Sequence, residues 1–462
     1  MTAIPGPFVG VSVAAPARPG RVKARGPALP RGLSRKAQLV IAAAVFLPIS
    51  KFHGFVGVLA TIRAPFILSI IGLAMIAMQM NRWRPRDLVR HWIPKSTLVI
   101  LVIATAGIPL ALNDGKAFFF MKDQVLTVIL LALMVWAVCR TRAGVKLIVK
   151  TLALAAITAG AMALLEGRTD HSGRLSGAYA YDPNDLALVC GVGVPLTAWW
   201  IADKSNGKWR WLLLAGLPIL LLTMVKSSSR GGFLTICAIL FGVIIVAIRS
   251  RNGKLGKVAA VTVVCGLLAF PLLPASYTEN LKTILDDNDY NRTSSSGRTQ
   301  VWKRGMGYAL SHPLTGVGLD NYGTAEGNIS ELARERMPGQ GLKWSAAHNS
   351  VVQMAAETGL IGGTLFVVLM VGSIMGLTRR ALMASWEADG YLPAFLGTAV
   401  MAFFVGGFFL SFAWYELPWF LFAISSGVLL DYAYRRRAER AARAAARGAP
   451  VSGRTLRGGR PG

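Results

Sequence analysis

Several short stretches of this chain place a charged or titratable side chain beside small residues that let a ligand come close. Arg230 stands in Ser227-Ser228-Ser229-Arg230-Gly231-Gly232, at the head of an apolar run. Serines cap helices, a helix N-terminus attracts anions, and glycines open the backbone amides to a ligand. A guanidinium adds a planar fork that matches phosphate, whereas a snorkelling arginine at a membrane interface is the plainer account. Arg298 closes Ser294-Ser295-Ser296-Gly297-Arg298 and leads into a helical stretch, 299–310, with Trp302, Lys303 and Arg304. Taken alone, such charges usually mark a solvated face. His348 stands in Ala346-Ala347-His348-Asn349-Ser350, ahead of another apolar run on which Gln353 and Glu357 follow Asn349 at four-residue steps. A helix N-terminus disfavours the imidazolium, so a neutral His348 near pH 7 would suit a general base; an ordinary interfacial histidine is the competing account. Arg63, between the first two apolar runs, reads by itself as an interfacial arginine. In Tyr181-Asp182-Pro183-Asn184-Asp185-Leu186, Asn184 or Asp185 is predicted to cap the following helix. Two close acids without a third partner do not make a metal site, and no metal is expected.

The elements that must position these groups are membrane helices. A spanning helix needs about 20 largely apolar residues. Runs at 38–60, 64–80, 96–112, 120–139, 145–165, 185–202, 209–225, 230–248, 257–276, 350–377, 391–410 and 416–434 qualify, the first interrupted by Lys51 and His53. The predicted fold is therefore all-α, a polytopic integral membrane protein with about twelve spanning helices. Alternate connections are basic, as in Arg82 to Lys95, Arg140 to Lys146, Lys204 to Arg210, Arg249 to Lys257 and Arg379-Arg380. The positive-inside rule then puts both termini in the cytoplasm. It also puts 277–349 outside, as one large extracytoplasmic loop with short helices and scattered Trp302, Tyr308, Tyr322 and Trp344. Residues 1–37 and 435–462 read as basic, disordered cytoplasmic tails, flanking helices one to nine over 38–276 and ten to twelve over 350–434.

Composition agrees with a membrane protein. Of 462 residues, 53% are hydrophobic and only 16% charged, against about 25% charged in soluble proteins. The net charge of +28 sits between apolar runs and in the tails, where anionic lipid favours it, so nucleic acid is not an expected partner. Cys139, Cys190, Cys237 and Cys265 lie in or beside apolar runs without C-x-x-C spacing, and read as packing residues.

Together these motifs resemble the O-antigen ligase / O-antigen polymerase family of bacterial membrane glycosyltransferases. The resemblance rests on Ser229-Arg230-Gly231-Gly232, on Gly297-Arg298 through Trp302 to His312-Pro313-Leu314-Thr315-Gly316-Val317-Gly318, on His348-Asn349-Ser350, and on Glu357-Thr358-Gly359-Leu360-Ile361-Gly362. Asp182-Pro183-Asn184 adds to it. It implies transfer of a glycan from an undecaprenyl-diphosphate carrier to a glycan or lipid acceptor at the outer face of the bacterial cytoplasmic membrane, without metal or other cofactor. It further implies that Arg230 and Arg298 hold the diphosphate and that His348 acts at the acceptor. Arg63 occupies a place where ligases often carry an arginine, in surroundings that match poorly. Asn349, Glu357, Trp302 and Asp182 are expected to support the site. The resemblance leaves open a surface-polysaccharide polymerase or a protein O-oligosaccharyltransferase. A lipid-linked glycan transporter would call for internal repeats and mid-membrane charges, whereas the polar residues here gather on one side.

Overall fold

The computed structural model describes residues 32–83, 90–170, 172–177, 179–249, 273–284, 286, 288–335, 344–383 and 391–446. The contacts divide the chain into one unit, Pro30–Ala433, and a second made of Met1–Leu29 with Tyr434–Gly462. Every residue discussed below belongs to the first; of the second, the helical run as far as Ala446 is described.

Among the described residues the fold is all-helical, relieved only by an isolated bridge between Thr169 and Leu175. The principal helices are α1 Arg35–Ser50, α2 Ala64–Ala77, α3 Trp92–Ala106, α4 Asp114–Val138, α5 Arg142–Glu166, α6 Pro183–Ala202, α7 Gly216–Lys226 and α8 Arg230–Arg249. They continue with α9 Arg298–Ser311, α10 Tyr322–Asn328, α11 Ser350–Met383, α12 Leu392–Gly407 and α13 Glu416–Ala446. Four of them, α4, α5, α6 and α11, are long and apolar enough to cross a bilayer; α2, α3, α7, α8 and α12 are apolar but carry shorter apolar stretches. The predicted run 257–276 lies, up to residue 272, outside the described residues, as do most of both predicted tails.

Several predicted runs change shape for local reasons. The first stops at Ser50, whose hydroxyl accepts from the Phe52 N–H at 3.2 Å, and Lys51 turns left-handed at φ 57°. The fourth begins earlier than predicted, at Asp114, because Asn113 caps it by accepting from the Lys116 N–H at 2.8 Å. Lys122 and Asp123 then fall inside the helix, on a π turn over Met121–Val125. The seventh run opens as a 3-10 segment, Lys204–Ala215, kinked at Gly207, before α7 begins at Gly216. The tenth is one helix broken at Gly359, where φ is 75°.

Helix α6 is the hub, packed against α5, α7, α8 and α12, while α12 also meets α8 and α11. Small residues allow this density, as in other helical membrane proteins. Gly191 on α6 and Gly406 on α12 both press on Thr235 of α8, and a Cβ at either would fall 2.6 Å from that side chain. Large aromatic side chains also fill the core, with Trp199, Phe366, Phe403, Trp414, Trp419 and Phe420 almost wholly buried. Phe66, Ile70, Leu98 and Val102 on α2 and α3 are exposed, as lipid-facing positions should be.

The hydrophilic stretch predicted as an outer loop contains Ala275–Lys282, Tyr290–Thr293, α9, α10 and Glu331–Arg334; residues 336–343 lie outside the described residues. It has its own small core of Val301, Tyr308, Val317, Tyr322, Val352 and Ala356, shared with the first turns of α11. Arg304 clasps Glu326 with two bonds, of 2.9 and 2.6 Å, and the Tyr308 hydroxyl donates to the same carboxylate at 2.8 Å. This bond to Glu326 holds the Arg304 guanidinium more firmly charged than usual. A buried charge satisfied this fully fixes α9 against α10.

The break at Gly359 explains two of the sequence motifs. The turn after α9 docks into it: the Leu360 N–H donates to the Pro313 carbonyl at 2.9 Å, and the Val317 N–H to the Ala356 carbonyl at 2.8 Å. A Cβ on Gly359 would strike the Pro313 carbonyl, and one on Gly316, at φ 68°, the Ala356 carbonyl. The two glycine-bearing motifs are thus the two halves of one joint, and α9 is anchored through it to the membrane bundle.

Candidate active site

Each candidate residue sits on a turn that a neighbouring element holds in place. Helix α8 starts where the sequence predicts, and Ser229 caps it by accepting from the Gly232 N–H at 3.1 Å. Ser228 before it is left-handed at φ 48°, a conformation that costs an L-residue about 1–2 kcal/mol. The Arg230 guanidinium donates through Nη1 to the Thr283 hydroxyl and to the Asp289 carboxylate, both at 2.8 Å. Asp289 touches Arg230 directly, and nothing in its local sequence singles it out. Burial pushes its carboxyl upward, but bonds from Asn291 and Arg230 outweigh this and hold it below its ordinary value.

Helix α6 is capped by Asp182, whose carboxylate accepts from the Asn184 and Asp185 N–H groups at 2.7 and 2.8 Å. This corrects the expectation that Asn184 or Asp185 caps it. Pro183 takes the first helical position, so the residue before it becomes the cap. Asn184 is thereby released to face the arginine turn: its Oδ1 accepts from the Ser229 hydroxyl at 2.9 Å and from Arg174 Nη2 at 2.8 Å.

Arg298 opens α9 behind Gly297, which serves as the cap without a side-chain bond. Its guanidinium lies half-buried, and burial together with the charges of Arg230 and Arg174 pushes its pKa below the ordinary arginine value. Asp182 and Asp289 partly offset that effect. Three guanidinium groups from three separate segments therefore share one electrostatic neighbourhood with two carboxylates.

His348 is exposed and left-handed at φ 45°, directly ahead of the α11 cap Asn349, whose Oδ1 accepts from the Val351 and Val352 N–H groups at 2.9 and 3.1 Å. Strained turns of this kind persist where the surroundings over-determine them. Here the His348 N–H donates to Ser411 Oγ at 2.8 Å, and Trp302 Nε1 donates to the Ala347 carbonyl at 3.0 Å. Ser350 fixes the facing turn by donating to the Leu410 carbonyl and accepting from the Phe412 N–H. Glu357, two residues before the break, is enclosed and accepts from Trp414 Nε1 at 2.8 Å.

Trp302 joins the histidine turn to the arginines. It lies four residues after Arg298 on α9, and its ring meets Phe409 at a centroid distance of 6.2 Å. Phe409 also flanks Gly231, the residue after Arg230, where a Cβ would lie 3.2 Å from it. Arg230, Arg298 and His348 are thus linked through Trp302 and Phe409. Arg63 stands exposed and left-handed at the start of α2, and among the described residues no hydrogen bond or ion pair ties it to this cluster.

The arrangement groups three guanidinium cations and, linked to them through Trp302, a histidine on a fixed turn. The comparisons with known proteins fall on the same part of the chain. The family model described as O-antigen ligase matches residues 215–367, which hold Arg230, Arg298 and His348. The exopolysaccharide production protein ExoQ of Rhizobium meliloti is 27% identical over 269 residues, covering 55% of this chain and 60% of that protein. A Rickettsia conorii protein named "Putative polysaccharide ligase" is 26% identical over 181 residues, 38% of this chain and 42% of its own length. The matches thus span less than two thirds of each relative. With four helices long and apolar enough to cross a bilayer, the chain is an integral membrane protein, and its residues 215–367 are similar to the O-antigen ligase family.

Proposed function

We propose that this chain transfers a glycan from an undecaprenyl-diphosphate carrier to a glycan or lipid acceptor at the outer face of the bacterial cytoplasmic membrane. The observation that carries this reading is the grouping of Arg298 with Arg230 and Arg174, linked through Trp302 to the His348 turn. A leaving diphosphate gathers negative charge, and preorganised cations stabilise it where it develops. The acceptor oxygen attacks the anomeric carbon while His348 takes its proton. The bond from that carbon to the phosphate oxygen breaks, and the electron pair leaves with the diphosphate. A single displacement of this kind inverts the anomeric centre. Arg63, nearer the lipid-facing helix α2, would meet the carrier at the edge of the site. The named relatives favour a polysaccharide product, and ExoQ in particular supports a second reading in which the acceptor is itself a growing polysaccharide.

This reading requires the arginine cluster to face away from the cytoplasm, with both tails inside. Reporter fusions at Arg251 and Gly327 are expected to report opposite sides of the membrane; the same side for both would overturn the orientation. The function itself is tested in cells lacking the chain. They should accumulate the diphosphate-linked glycan and lose the transferred product, with both restored by the wild-type protein. Normal levels of both would contradict the proposal.

A further inference from the structure

Arg174 lies in the short turn after α5 and carries none of the flanking motifs that mark Arg230 or Arg298. Its backbone is nevertheless fixed from two directions. Its N–H donates to Asp170 Oδ1 at 2.9 Å, and the next residue, Leu175, donates its N–H to the Lys226 carbonyl at 2.9 Å. From there its side chain reaches across two helix ends. Nε donates to the Ser227 carbonyl at 3.1 Å, at the end of α7, and Nη2 donates to Asn184 Oδ1 at 2.8 Å, in the first turn of α6. Asn184 Oδ1 also accepts from the Ser229 hydroxyl, which caps α8. One guanidinium therefore spans the end of α7, the start of α6 and, through Asn184, the start of α8.

Between those contacts sits Ser228, left-handed and held on both sides. We propose that Arg174 is a positioning residue for the transfer reaction: it locks the Ser227–Arg230 turn, aims Arg230, and supplies the third positive charge of a site shaped for a diphosphate. The inference rests on the diphosphate reading of the site. Only a planar fork makes both bonds from one side chain, so a lysine at this position keeps the charge and loses the brace. Three neighbouring guanidinium groups repel one another, and a ligand with two linked phosphates relieves that repulsion more fully than a single phosphate does.

The test uses the full-length purified protein in lipid, with the diphosphate-linked donor varied and with inorganic pyrophosphate as a competing probe. Arg174→Gln and Arg174→Lys should each raise the donor KM by about 10- to 100-fold, the loss expected for two charge-assisted bonds. Both should weaken pyrophosphate inhibition to a similar extent. The unfolding midpoint should fall modestly in both variants as the brace is lost, but the acceptor KM should stay near wild type, a selectivity for the donor that a merely structural role would not produce. If Arg174→Gln does not insert, Arg174→Lys carries the test alone. Wild-type donor KM and pyrophosphate sensitivity in the lysine variant would overturn the inference while leaving the diphosphate reading intact. A wild-type protein that neither transfers nor responds to pyrophosphate would overturn the diphosphate reading and this inference with it.

Discussion

Replacing His348 with alanine is expected to slow glycan transfer by about 10²- to 10⁴-fold, the usual contribution of a general base, while the donor stays bound. The separation follows from the way the turn is built. Asn349 caps α11, Ser411 accepts from the His348 N–H and Trp302 holds the Ala347 carbonyl; none of these contacts uses the imidazole. Those backbone and neighbouring side-chain contacts remain when the ring is removed, and the arginines lie on other elements. His348→Gln distinguishes two roles. If His348 takes the acceptor proton, glutamine is nearly as inactive as alanine; if it only orients the acceptor, glutamine retains much of the rate. The quantity to measure is single-turnover transfer with saturating donor. A fully active His348→Ala would remove both roles.

The second large effect is expected at the arginines. Arg230→Lys and Arg298→Lys keep the positive charge, yet each should lower kcat/KM for the donor by about 10- to 100-fold, and the double variant by more. At Arg230 the reason is visible in the resting contacts: Nη1 already serves both Thr283 and the Asp289 carboxylate. An ammonium on a flexible stem cannot reproduce that directed contact, and Asp289 shows that the position accepts an anionic oxygen. At Arg298 the guanidinium is kept charged against burial and two like-charged neighbours. Under the proposed function a polyanion would relieve that repulsion, so a misplaced charge should lose more than it would in open solvent. Wild-type turnover in both single variants, with normal membrane insertion, would contradict the assignment.

The sequence carried the helical character, the positions of most apolar helices and the three motif residues that the fold brings near one another. Those features are local: they depend on apolar length, caps and glycines that act within a few residues. The shapes of α1, α4 and α11 were less legible, because Ser50, Asn113 and Gly359 alter helices through single hydrogen bonds or one dihedral angle that hydropathy does not register. Asp182 shows the same limit at finer scale, since Pro183 decides which of three neighbouring polar residues becomes the cap. Arg174 and Asp289 were not legible as site residues at all. Each gains its place through a partner more than 50 positions away in sequence, Ser227 for Arg174 and Arg230 for Asp289, and no spacing pattern encodes such a meeting. The turn at 312–318 and the break at Gly359 stood out as motifs, but only their mutual docking shows that they form one joint.

Under the proposed function, the arginine cluster and His348 perform transfer from a polyprenyl-diphosphate donor without a metal. It is tested most directly with purified protein in lipid vesicles, given an undecaprenyl-diphosphate-linked glycan and a glycan or lipid acceptor in the presence of EDTA. One polyprenyl diphosphate should be released for each glycan transferred, with His348→Ala releasing almost none. Donor that remains intact in the wild-type reaction, or release that returns only when Mg²⁺ or Mn²⁺ is restored, would contradict it.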